Sequence, residues 1–324
     1  MDNLCHSLAG AAIAQTGFAR RLPRATLLGV VAANIPDVDA LTYLGADSAT
    51  AVAFRRGWTH GLPALLVWAC VLAALFAWLS RRWPRSAMVG DGTPAIPMHA
   101  YLGITTIAVV SHPVLDWMNT YGVRFLMPFS DEWFYGDTLF IVDPVLLALF
   151  GAGWFISSRM LAQVSPRAEW PARSMLAVAV LYIVAMKGLS ESTRAAAAAN
   201  AGMSNPSRRE LMVVPKAVSY FTRDVLVASG DTYAWTPWRW NFGNVAPMVG
   251  TSTIRAGNDP GVMDTLRATR DGANFLRWSR FPYVVRERMA GTIFLGDARY
   301  SSGTEESWAG IRVRPGATTT SPAR

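Results

Sequence analysis

Charge is what this sequence has least of. Only 16% of its 324 residues are Asp, Glu, Lys or Arg, while 52% are hydrophobic. An ordinary soluble domain carries about 25% charged residues, so the shortage argues against a freely soluble enzyme and for residence in a membrane. Cysteine is nearly absent. Cys5 and Cys70 sit in apolar stretches without a Cys-x-x-Cys spacing, which excludes a disulfide framework or a cysteine-based zinc knuckle and leaves both as small packing residues. Phosphate-binding glycine loops, Gly-x-Ser-x-Gly elbows and dinucleotide fingerprints are also missing. Nucleotide-binding and serine-hydrolase readings lose their basis with them.

The chain does have long apolar runs. Ser7 to Ala19 and Ala25 to Ile35 are two short ones, joined by the basic turn Arg20-Arg21-Leu22-Pro23-Arg24. Each is too short for a bilayer core of about 30 Å, so the pair is expected to form a re-entrant helical hairpin. No basic n-region or small-residue cleavage site marks a signal peptide, and the segment is expected to be retained. Four further runs follow, Gly61 to Ser80, Tyr101 to Met118, Leu139 to Ile156 and Ser174 to Leu189, each near the roughly 20 residues of a spanning helix. The loop from Pro84 to Pro97 reads as a connection, with a turn at Gly90-Asp91-Gly92.

Beyond Ser190 the composition changes. Short β-like runs (Glu210 to Val214, Val218 to Thr222, Asp224 to Ala228, Tyr283 to Arg288, Thr292 to Leu295) alternate with Gly, Asn and Pro. The expected architecture is an all-α integral membrane bundle, a re-entrant hairpin plus about four spanning helices, followed by a small β-rich soluble C-terminal domain. Its expected divisions are a membrane domain over 1–190, a linker over 191–205, the β-rich domain over 206–314 and a disordered tail over 315–324. The aromatic run around Trp235, Trp238 and Trp240 fits an interfacial belt or a strand core better than a base-stacking surface.

Tracing the runs back and forth through a membrane gathers polar residues on one side. His60 opens the first full span, and the next returns antiparallel, carrying Ser111-His112-Pro113-Val114-Leu115-Asp116 at its far end. His112 and Asp116 are four apart and share a helix face. Asp137 and Asp143 precede the third span, and the hairpin adds His6 and Asp37. Three of the four histidines thus fall in one set, with His99 on the opposite side. For the His112/Asp116 pair alone, an aspartate-oriented core histidine is the simpler reading. The company the pair keeps points instead to a metal site, because histidine is the commonest metal ligand and carboxylates orient it. Mixed His and Asp ligands suit zinc, with manganese or iron as other choices.

The ordered motifs Met1-Asp2-x-x-x-His6, Ile35-Pro36-Asp37-x-Asp39, Arg56-Gly57-Trp58-Thr59-His60, Ser111-His112-x-x-x-Asp116, Tyr121-Gly122 with Pro128-Phe129-Ser130, and Asp137-x-x-Phe140-Ile141-x-Asp143-Pro144 cover residues 1 to about 157. In this order they resemble the YdjM/DUF457 family of bacterial and archaeal membrane proteins, described as metal-dependent hydrolases. Arg277 to Pro282 and Gly296 to Tyr300 resemble its extended members more weakly. The resemblance implies metal ligands at His6, Asp37, His60, His112 and Asp116, with Asp39, Asp137 and Asp143 as further ligands or orienting carboxylates. Zinc-dependent phospholipase C and P1-type nucleases are distantly similar, and they imply two or three ions activating water against a phosphoester such as a lipid headgroup. Asp39 or Asp137 would take the water's proton. Arg55 stands where many members have histidine, and an arginine there could meet a phosphate. The contrasting reading is a non-catalytic cation transporter or metal-binding scaffold, since ionisable residues in membranes also mark ion paths.

The net charge of +8 comes without a nucleic-acid-binding motif; membrane lipids are the expected partners and nucleic acid is not. Arg20, Arg21, Arg24, Arg81, Arg82, Arg85, Arg159, Arg167 and Arg173 cluster opposite the polar set, against Arg55, Arg56 and Arg124 beside it. By the positive-inside tendency the first group is cytoplasmic, which puts the polar set and the C-terminal domain outside the cytoplasm of an inner membrane. A phosphatase fused after Arg324 that folds only outside the cytoplasm should therefore be active; a reporter at that position active only in the cytoplasm reverses the assignment.

Overall fold

The computed structural model describes residues 1–45, 48–82, 96–286, 291–301, 303–304 and 307–314. Arg85, the Gly90-Asp91-Gly92 turn, most of the Pro84 to Pro97 connection and the 315–324 tail lie outside the described residues. The chain divides into two compact units, one of Met1–Asp39 with Arg56–Gly188, the other of Ala40–Arg55 with Leu189–Arg324.

In the first unit, α1 (Asn3–Gln15) starts at Asp2, whose carboxylate accepts from the Leu4 and Cys5 amides at 3.0 Å each. A side-chain acceptor there satisfies amides that a helix start leaves without partners. After the short α2 (Phe18–Arg21), α3 (Ala25–Asn34) runs back along α1. Gly10 and Gly29 face each other, and a Cβ on either would strike the other's carbonyl. Lipid tails are as apolar as leucine, so helices in a bilayer associate through close packing of small residues of this kind. The hairpin closes with Asn34 Nδ2 donating to Ser7 Oγ at 3.0 Å, which returns the end of α3 to the start of α1.

Helix α3 does not stop at Pro36. It tightens into a 3-10 segment, Ile35–Leu44, and with it forms a continuous apolar stretch of 20 residues, Ala25–Leu44. Beyond α4 (Ser48–Phe54), which belongs to the second unit, come α5 (Leu62–Arg82), α6 (Met98–Trp117), α7 (Pro144–Ala162) and α8 (Trp170–Asn200). Among the described residues, five stretches are thus long and apolar enough to cross a membrane. The fifth arises because proline, lacking an N–H, is compatible with the start of a new turn where the sequence suggested a break.

Among the described residues this unit packs around one core at Leu28, Leu72, Phe76 and Ile104 and another at Cys5, Leu115, Leu146 and Phe150. Thr105 Oγ1 on α6 adds a contact of 3.0 Å to the Ala69 carbonyl of α5. Leu66, Val67, Val71 and Cys70 on α5, and Leu181 and Val184 on α8, are exposed. Such apolar faces suit lipid. Of the two cysteines, only Cys5 packs inside.

In the second unit, β1 (Leu211–Pro215), β2 (Thr222–Ser229), β3 (Thr232–Asn241) and β4 (Asn244–Pro247) form an antiparallel sheet in that order, and β5 (Ser252–Arg255) also pairs with β3. Ser229 pairs with Thr232 across a two-residue turn with Gly230 at φ +56°, the backbone that such hairpins favour. Val218 to Phe221, expected in a strand, is a turn closed by the Thr222 amide on the Ser219 carbonyl at 3.1 Å. Helices α9 (Pro260–Arg267) and α10 (Arg270–Trp278) come next, and α4 packs on α10. A second antiparallel sheet follows, β6 (Pro282–Arg286), β7 (Ile293–Asp297) and β8 (Gly310–Val313). Its core gathers Phe281, Tyr283 and Phe294 with Met212 and Leu226.

One buried charge pair anchors this unit. Asp297 accepts from Arg299 Nε at 3.0 Å, the Arg299 amide at 2.8 Å, the Arg280 amide at 3.0 Å and Ser279 Oγ at 2.5 Å. Burial alone would raise the Asp297 carboxyl; the Arg299 charge and these hydrogen bonds outweigh it and hold it below the usual carboxylate range. A carboxylate depressed on folding stabilises above its unfolded value of about 3.9 and loses that contribution as pH falls through its folded value. Protection factors along β7, which remove the intrinsic pH dependence of exchange, should therefore be constant from neutrality to about pH 4 and fall below it. Asp297→Asn should remove that acid dependence and cost about 3–5 kcal/mol at neutral pH, because it strands a buried arginine.

Candidate metal centre

The centre lies where the end of α3, the segment before α5 and the last turn of α6 meet. His112 is fully buried on α6, and its Nδ1 is 2.6 Å from the Ala33 carbonyl. A carbonyl only accepts, so that nitrogen carries the proton and Nε2 presents a lone pair. The local sequence explains the free carbonyl. By the i→i+3 pattern of the 3-10 segment its donor would be residue 36, which is proline and has no N–H.

His60 is fixed in the same sense. Its Nδ1 is 2.9 Å from Thr59 Oγ1 and 3.3 Å from Asp39 Oδ2, and Thr59 Oγ1 donates to the same Asp39 oxygen at 2.9 Å. The threonine hydrogen is thus already committed, so the His60 proton sits on Nδ1 and its Nε2 is also bare. Burial would lower this imidazole, but Asp116 and Asp39 outweigh it and the net direction is upward. A proton and a cation would compete for one position.

The two bare nitrogens are 3.2 Å apart. Asp116 Oδ2 is 3.6 Å from each, and Asp37 Oδ1 lies 3.8 Å from His60 Nε2 and 3.7 Å from His112 Nε2. All four donor atoms fall within 4.8 Å of one another. An ion bound tetrahedrally at about 2.0–2.2 Å has ligand–ligand edges of about 3.3–3.6 Å. The donor set therefore fits one ion, and Asp116 Oδ2 is a buried oxygen to which, among the described residues, no donor is aimed. Asp37 is the least buried of the four.

In the sequence Arg56 stands as a topological charge and as the start of the Arg56–His60 motif, with no role assigned to it, yet it lies inside the centre. Its Nη2 donates to Asp116 Oδ1 at 2.9 Å, and its Nε lies 2.9 Å from Oδ2 without pointing at it. Nη1 reaches Asn119 Oδ1 at 3.2 Å and the Gly122 carbonyl at 3.3 Å. The guanidinium rests 4.7 Å over the Tyr121 ring, and the Arg56 amide donates to Asp39 Oδ2 at 2.7 Å. The Met1 amino group also lies against Asp116 Oδ1.

The remaining sequence candidates are placed differently. His6 stacks on His112 with ring centres 3.8 Å apart and brings Nε2 to 3.3 Å from Asp116 Oδ1, outside the four-residue group. Asp39 orients His60. Asp137 is buried at φ +51° in a loop whose neighbours Gly136 and Thr138 bond the Trp117 and Met118 carbonyls. Asp143 is spent on local structure: one oxygen caps α7 through the Val145 and Leu146 amides at 3.0 Å each, the other accepts from Tyr182 at 2.8 Å. The Asp143-Pro144 pair is a helix-start signature that the sequence displayed. Arg55 belongs to the second unit and packs over the Tyr43 ring at 5.7 Å. Asn119 and Arg56 are the residues that sequence reasoning missed.

Asp39→Asn keeps an acceptor for the Arg56 amide and Thr59 but removes the charge holding the His60 proton on Nδ1. Metal affinity should fall by about 10–100-fold, the usual worth of such an orienting carboxylate. A competition titration with a chromophoric chelator measures it, and unchanged affinity would remove Asp39 from the site.

The family model described as YdjM inner membrane protein matches residues 1–191. Among curated proteins, the chain is similar to the inner membrane protein YbcI of Escherichia coli strain K12, 32% identical over 115 residues, 35% of this chain and 58% of that one. It is also similar to the uncharacterized protein YfhP of Bacillus subtilis strain 168, 31% identical over 122 residues, 38% of this chain and 32% of that one. The match thus spans about a third of one relative and somewhat over half of the other. No solved structure matches significantly. With five candidate spans, a buried His/Asp cluster and a family match over well over half its length, the chain belongs to the YdjM family of inner membrane proteins.

Proposed function

We propose that this protein is a membrane-bound, metal-dependent hydrolase acting on a phosphoester such as a lipid headgroup. The observation that supports it is the convergence of two bare imidazole nitrogens and two carboxylate oxygens within 4.8 Å, in a buried site. Zinc suits this donor set best, and manganese or iron is compatible with it. When bound, such an ion supplies Lewis acidity, lowering the pKa of water and polarising a phosphoryl oxygen.

The chain's own residues do the rest. Asp37, His60, His112 and Asp116 hold the ion; Asp39 and the Ala33 carbonyl fix the two imidazole rings; and Arg56 holds the Asp116 carboxylate in place. Asp137, in the buried loop bonded to the end of α6, is the proposed acceptor of the water's proton. The exposed apolar faces of α5 and α8 favour lipid around the unit, where phosphoesters are carried at the bilayer surface. A transporter would spread ionisable groups through several depths of the membrane, whereas these four gather at adjoining helix ends.

The test is metal analysis of the purified protein, followed by hydrolysis of phosphodiesters and phospholipids with and without chelator. Turnover should vanish with chelator and return with zinc. His112→Ala should lose metal and turnover together, while Asp137→Asn should retain metal and lose about 10²–10⁴ in rate. A metal-loaded protein with no chelator-sensitive hydrolysis of any phosphoester would favour the transporter or scaffold reading.

A further inference from the structure

Asn119 follows Asp116 by three residues, at the end of α6. Its side chain is 2% exposed, and its oxygen is committed twice, to Arg56 Nη1 at 3.2 Å and to the Tyr121 amide at 2.8 Å. Both partners are donors, so the assignment of oxygen and nitrogen in this amide is forced. Among the described residues its Nδ2 is left as a buried donor without a partner. A buried amide nitrogen with no acceptor is costly and seldom retained without a use.

The use is suggested by what surrounds it. The guanidinium that grips the Asn119 oxygen also grips Asp116 Oδ1 at 2.9 Å, and Asp116 turns its other oxygen to His60 and His112. Asn119 Nδ2 is therefore a donor one guanidinium away from the metal centre, beside an Arg56 whose charge is paired with Asp116. Thr120 and Tyr121, next along the chain, are only half-buried.

We propose that Asn119 Nδ2, with the Arg56 guanidinium that fixes it, forms an anion subsite that takes a phosphoryl oxygen of the substrate beside the metal centre. The inference rests on the phosphoester reading above and adds the residues that would recognise the phosphoryl group. Arg56, itself paired with Asp116, fixes the Asn119 amide, and Asn119 Nδ2 supplies the directed hydrogen bond. The phosphoryl group can belong to a lipid headgroup or to a soluble phosphoester, since both present the same oxygens.

The test uses the full chain, loaded with zinc, in nanodiscs of zwitterionic lipid, and titrates inorganic phosphate. The informative variant is Asn119→Asp, which keeps an acceptor for Arg56 and the Tyr121 amide but replaces the donor with a second anionic oxygen. Phosphate binding should weaken by about ten- to a hundred-fold, the range of a lost charge-assisted hydrogen bond, with zinc content unchanged. Asn119→Gln, which keeps a donor on a longer arm, should fall between the two. Phosphatidic acid in the disc that competes with inorganic phosphate assigns the subsite to a lipid headgroup, and lack of competition assigns it to a soluble phosphoester.

Equal phosphate affinity in the Asn119→Asp protein overturns the proposal, as does loss of zinc in step with phosphate, which would make Asn119 only a support for Arg56 and Asp116. Failure of the hydrolase reading is seen separately. It would appear as phosphate binding that responds to Asn119→Asp in a protein with no chelator-sensitive turnover.

Discussion

Two imidazole lone pairs facing each other at 3.2 Å in a buried interior repel unless positive charge lies between them. Everything around them is arranged to keep them so. The Ala33 carbonyl and the Thr59/Asp39 pair hold both ring protons on the far nitrogens, and a carboxylate oxygen from each of Asp37 and Asp116 closes the remaining sides. In a medium of low dielectric such a constellation is costly without a cation. That cost explains why the centre recruits Arg56 to Asp116, and why a proton is drawn to His60.

The fold serves this placement. Gly10 and Gly29 let α1 and α3 touch backbone to backbone, so the hairpin returns the end of α3 to the level of His6. Thr105 ties α5 to α6 midway, leaving the start of one and the end of the other side by side. The four donors come from segments far apart in sequence, on the end of α3, the approach to α5 and the last turn of α6. An ion bound there would join three parts of the chain, and its binding energy would contribute to the stability of the unit.

Much of this was legible in the sequence, because membrane spans and helix-spaced ligands leave strong local signals. The His112/Asp116 spacing, the long apolar runs and the antiparallel trace were enough to bring Asp37, His60, His112 and Asp116 to one side. What escaped was context-dependent. Arg56 reads as a loop charge until its guanidinium is seen on Asp116, and Asn119 has no signature of its own. Asp143 looks like a ligand because it is an aspartate near histidines, although the proline after it marks a helix start. In the second unit, α9 and α10 are short and were overlooked, yet Asp259 before Pro260 and Thr269 before Arg270 are capping signals. The extension of α3 past Pro36 was hidden because a proline after an apolar run reads as a stop.

That same proline has a remote effect. By withholding an amide hydrogen from the Ala33 carbonyl, Pro36 leaves an acceptor that His112 fills. A residue on one helix thereby dictates which nitrogen of a ring on another is basic. An N–H at position 36 would bid for the same carbonyl and release the ring to exchange tautomers, so that it spends part of its time offering the wrong nitrogen. The ligand residues would all be intact, yet the chelating geometry would be degraded from outside. Imidazole basicity here is thus written partly into the pitch of a neighbouring backbone.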